Sequence, residues 1–119
     1  EIGQFTRDVT LNVEEASDKG TYAPYFENLE NLLGVVEHEE SEIVNLEVYQ
    51  LCMNSIENYA RKFKADGIEK KQLQTFFEEV SDKTGGIDTT TDKTDELKNE
   101  IIERESAAQD AIQNAYSEE

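Results

Sequence analysis

Apolar side chains fall at Ile2, Phe5, Val9, Val13 and Ala16, the three-four spacing of one helical stripe, and Gly20 closes that segment. Thr21 and Pro24 mark the next start, since proline is tolerated in a first helical turn where its missing N–H costs nothing. Phe26, Leu29, Leu33 and Val36 then share a face, widened by Leu32 and Val35, which predicts a second helix. The polar run over 37–42 holds no Pro or Gly, so one bent helix from 24 to about 65 is an alternative to a break. Helices beyond about 25 residues are uncommon in globular domains, and Ser41 is a ready N-cap, so a break is favoured.

Leu46, Tyr49, Met53, Ile56, Ala60 and Phe63 form an unbroken heptad-like seam, the strongest periodic signal in the chain. A second row at Val44, Val48, Leu51 and Cys52 widens the apolar face, as expected of a helix contacted from two sides at the centre of a bundle. Asp66 and Gly67 end this helix after a basic last turn of Arg61, Lys62 and Lys64, which complements the negative end of the helix dipole. A fourth helix carries Ile68, Leu73, Phe76, Phe77 and Val80 inward, with Lys70, Lys71, Glu78 and Glu79 outward, and Gly85 and Gly86 terminate it. The Gly- and Thr-rich stretch 84–92 is the expected long flexible loop. Thr91 or Asp92 caps a final helix with an inward row of Leu97, Ile101, Ala108, Ala111 and Ala115, flanked by Ile102, Ile112 and Tyr116. No useful stretch has a period of two. The expected fold is therefore all-α: one domain over 1–119, an antiparallel bundle of four or five helices with no sheet.

The chain is strongly acidic. Among 119 residues, 28 acidic side chains face 11 basic ones, a formal net charge of -17. Such a chain repels phosphate backbones and anionic lipid, so neither nucleic acid nor membrane is an expected partner. The charge is also uneven. Between Thr21 and Ala60 there are eight acidic residues and no Lys or Arg, Arg61 to Lys83 holds six basic and five acidic ones, and from Thr84 onward ten acidic residues face three basic ones. The densest run contains Glu37, Glu39, Glu40, Glu42 and Glu47, the candidate partner-binding residues.

Candidate chemistry adds little to this. Asp88, Thr90, Asp92 and Thr94 imitate the alternating oxygen ligands of a calcium loop, but the glycine that loop needs is replaced by Lys93 and its final bidentate Glu by Asn99. A capped helix start explains the same residues. The single histidine excludes a di-iron site built from two Glu-x-x-His pairs, and it lies fourteen positions from the single cysteine, Cys52. His38 sits among carboxylates that favour its protonated form. No glycine-flanked serine elbow or phosphate-cradling loop occurs, and abundant carboxylates without an apolar cleft give no acid and base roles. The expectation is no catalytic residue, no cofactor and no metal ligand.

The expected role is that of a monomeric, non-enzymatic protein-binding module that docks on a basic surface of a larger protein as an inhibitor or antagonist. A complement or coagulation protease-cascade component is one such target. The first residue is Glu1 rather than Met, and taking it as a processed end implies secretion, with a cytoplasmic location as the alternative. Two other readings stand beside it. One is a DNA mimic that inhibits a nucleic-acid-binding protein through carboxylates spaced like phosphates; the basic cluster Arg61, Lys62, Lys64, Lys70 and Lys71 argues against it. The other is a carrier of a small apolar ligand lined by Tyr25, Tyr49, Tyr59 and Phe63.

Overall fold

A computed structural model describes residues 20–36 and 41–117. The stripe expected over 2–16 lies outside them, as do Glu37, His38, Glu39 and Glu40. Four helices are described: α1 (Ala23–Val36), α2 (Glu42–Ala65), α3 (Lys70–Gly85) and α4 (Asp92–Tyr116). The chain is an all-α antiparallel bundle, and no strand occurs among the described residues.

The break between α1 and α2 has a local cause. Ser41 is extended, at φ -75° and ψ 119°, and its hydroxyl accepts from the Val44 N–H at 3.3 Å, so it satisfies an otherwise orphaned donor at the start of α2. Every member of the Leu46-to-Phe63 seam is buried, with Val48 and Cys52 beside it, and α2 packs against all three other described helices. Its end is equally well defined. Gly67 N–H donates to Lys64 O and Ile68 N–H to Phe63 O, both at 3.0 Å, with Gly67 at φ +96°. This double reverse bond needs a left-handed residue, which glycine supplies without a Cβ penalty. A Cβ at Gly67 would meet no atom within 4 Å, so Gly67→Ala is expected to cost only its backbone strain, about 1 kcal/mol by chemical denaturation.

Side-chain bridges fix the helix directions. Tyr25 on α1 reaches Ser55 far along α2, so those two run antiparallel. On α3 and α4, the Gln74 and Gln109 amides exchange two 3.0 Å hydrogen bonds and Lys70 Nζ donates to Gln113, so they too are antiparallel. Gln50 donates to Glu100 at 3.3 Å and Arg104 pairs with Glu57 at 3.6 Å, so α2 and α4 run parallel. The far end of α4 is held by the Tyr116 hydroxyl on Ile68 O, with Lys64 Nζ 5.7 Å from the Tyr116 ring centroid.

The structure departs from the sequence-based expectations at three places. The expected loop over 84–92 is shorter, because Thr84 and Gly85 belong to α3. Thr84 is fully buried and its hydroxyl donates back to Val80 O at 2.8 Å, which keeps a polar residue inside the last turn. In α4 the row is Leu97, Ile101, Ala108, Ile112 and Ala115; Ala111 moves to the half-buried flank, and Ile102 is 46% exposed. At the start of α1 the cap comes from Asp66, 43 residues away, whose carboxylate accepts from the N–H groups of Tyr22 and Ala23. The first N–H of α1 and the one before it are thus paired by the residue that ends α2.

Candidate partner-binding surface

Folding turns the uneven linear charge into an axial one. The starts of α2 and α4 and the end of α3 meet at one end of a body 44 Å long, which gathers Glu42, Glu47, Asp82, Asp92, Asp95 and Glu96. Arg61, Lys62, Lys64, Lys70 and Lys71 stand at the opposite end, where α2 finishes and α3 begins. Part of this placement stabilises the helices themselves. Asp92 and Asp95 lie in the first turn of α4 and Glu42 in that of α2, next to the positive ends of their dipoles, while Lys62 and Lys64 lie in the last turn of α2.

Of the sequence-predicted residues, Glu37, Glu39 and Glu40 fall outside the described residues. Glu42 is half-buried and occupied within the chain: its carboxylate accepts from the Thr90 N–H at 3.1 Å and from the Thr90 hydroxyl at 3.0 Å. It fastens the α3–α4 loop to the start of α2. Lys98 Nζ secures the same loop by donating to Ile87 O at 2.8 Å. Glu47 alone of the described candidates is exposed. The 50-to-100 register set by Gln50 and Glu100 places it beside the 96–100 turn of α4.

The outward row of α4 is the larger feature. Asp92, Asp95, Glu96, Glu100 and Glu103 are all exposed. Glu96 and Glu103 are one heptad apart, about 10 Å along the helix, so they stand on one face. Sequence reasoning singled out the denser run around residue 40 and passed over this row, although the seven-residue spacing would have found it. Arg104 offsets charge on the α2 side through its pair with Glu57. A rigid scaffold carries the row: Thr91 caps α4 by accepting from Thr94 N–H at 3.1 Å, while Thr94 Oγ1 accepts from Thr91 N–H at 3.1 Å. Of the residues that resembled a calcium loop, Thr94 belongs to this cap, Asp92 is the first residue of α4 and Thr90 is bonded to Glu42. Among the described residues, no group of three or more His, Cys, Asp or Glu side chains is placed to hold a metal.

The chain matches no protein-family model, no curated protein and no solved structure.

The aromatic side chains pack on one another. Tyr22 stacks on Tyr59 at 5.4 Å, Phe26 meets Phe63 and Phe76 edge-on at 5.2 Å each, and Tyr25 donates to or accepts from Ser55 at 2.7 Å. Burial pushes the Tyr25 phenol up to about 12 from its ordinary 10.0, against the opposing pull of the Ser55 hydrogen bond. The fold therefore keeps this proton where an unfolded chain releases it, so stability is retained below about pH 10 and falls as pH rises from there towards 12. Tyr25→Phe is expected to flatten that fall, by at most about 2 kcal/mol, in unfolding free energies measured across the interval. Cys52 is fully buried, and desolvation, with Glu79 adding repulsion, pushes its thiol well up, which keeps it protonated and inert. Among the described residues, no helix is long and apolar enough to cross a membrane.

Proposed function

We propose that this protein is a non-enzymatic binding module that docks its acidic end on a basic surface of a larger protein, acting as a secreted inhibitor or antagonist. The observation that carries this reading is the exposed carboxylate row of α4, continued by Glu47 on α2. A basic partner is drawn to it over a Debye length, and the opposite end, which carries the basic cluster, orients the approach, so the field selects one end of the molecule. Charged rows of this kind favour fast association more than high affinity. The packed aromatic core supports a binding role over carriage of an apolar ligand, because the rings that would line such a site fill it themselves. The basic end weighs against mimicry of DNA.

The test is affinity capture on the immobilised chain, repeated at low and at physiological ionic strength. A basic partner retained at low salt and released as exposed charges are screened over about 8–10 Å supports the proposal. Retention indifferent to salt overturns it.

A further inference from the structure

A groove of about 300 Å³ opens between α1 and α3. It is lined by Glu30 on α1 and by Lys71, Gln72, Thr75, Phe76 and Glu79 on α3. Residues 72, 75, 76 and 79 follow the spacing that holds them on one helix face. Phe76 is 3% exposed and locked edge-on against Phe26, so its ring gives the groove a fixed apolar floor. Glu30 and Glu79 stand at the rim on opposite helices, and both are exposed. Partial burial, then the charges of Glu27 and Glu79, push the Glu30 carboxyl up. Negative charge is thus crowded at a place where it is also partly withdrawn from water. Lys71 is the one cation in the lining, against two carboxylates.

We propose that this groove binds a small organic amine, its ammonium between Glu30 and Glu79 and its aryl or alkyl body over Phe76. The pairing rests on complementarity. An anion would meet two carboxylates, and a neutral ligand would leave their repulsion unrelieved, whereas an ammonium relieves it and can accept desolvation because it is paired on both sides. The volume admits one ring with a short chain. Gln72 and Thr75 add donors and acceptors at the edge, and the overall charge of -17 raises the local concentration of cations. This binding is separate from docking through α4 and stands or falls without it.

The experiment titrates the full chain with 2-phenylethylamine and, in parallel, with 2-phenylethanol, following the backbone amide signals of Gln72 and Thr75. Saturable shifts with the amine, and about tenfold weaker binding of the alcohol, are expected. Glu30→Gln and Glu79→Gln should each weaken the amine about five- to tenfold, and Asp110→Asn, which removes the same unit of charge from α4, outside the groove lining, less than about twofold. Equal binding of amine and alcohol overturns the proposal, as does an Asp110→Asn loss equal to that of Glu79→Gln. So does the absence of saturation up to about 10 mM amine.

Discussion

Replacing Phe63 with alanine is expected to destabilise the protein by about 3–5 kcal/mol, the range for truncating a fully buried aromatic ring. Phe63 is 0% exposed, on the last turns of α2, with its ring 5.2 Å from Phe26 and 6.2 Å from Tyr25 on α1 and 6.4 Å from Tyr59 on its own helix. Its backbone carbonyl also receives the Ile68 N–H that closes the helix end. The ring therefore joins the first helix to the second at the point where the chain turns into the third. Truncation leaves a void lined by other rings, which cannot collapse because each is held by a further aromatic contact. Phe63→Leu should recover more than half of the loss. Urea unfolding of the two variants, with near-ultraviolet circular dichroism reporting the tyrosine cluster, checks this; a cost under about 1 kcal/mol for the alanine variant would show that the cluster is not tightly packed.

The second large effect concerns the acidic end. Converting Asp95, Glu96, Glu100 and Glu103 to their amides is expected to slow association with the captured basic partner by about 10- to 100-fold at low ionic strength, with a much smaller change in dissociation. The four side chains are exposed, and Asp92 remains in the first turn of α4, so the helix keeps an acid at its positive end and the fold is retained. Stopped-flow or surface-binding kinetics at several salt concentrations give the measurement. The variant's association rate should also lose most of its dependence on salt. An unchanged association rate would place the contact elsewhere and remove the basis of the proposed role.

Much of the fold was legible in the sequence because it rests on short-range periodicity. The Leu46-to-Phe63 seam holds large apolar residues at nearly every inward position, so its period has one solution, and all six are buried. The last helix was less clear. Alanine suits either a seam or its flank, so the row placed Ala111 inward where the structure places Ile112. Thr84 resembled loop chemistry because a threonine beside two glycines usually is; its bond to Val80 O, visible only in the helix, holds it inside. The roles of Asp66 and Glu42 were not legible at all, because their partners lie 43 to 48 residues away and a carboxylate carries no mark of which distant N–H it will accept. For the same reason the groove beside Phe76 depends on which helices become neighbours, and periodicity is silent on that. The carboxylate row of α4 was within reach, since its heptad spacing is written in the sequence.

The carboxylate of Asp66 grips the amide of Tyr22, just before α1, and that of Ala23, its first residue, while its own backbone closes α2. Helix starts normally fray first, each on its own, because their donors face water. Here the fraying of one helix start must wait for the neighbouring helix end to let go, and the two should open to solvent together as one cooperative unit rather than as two loose tips.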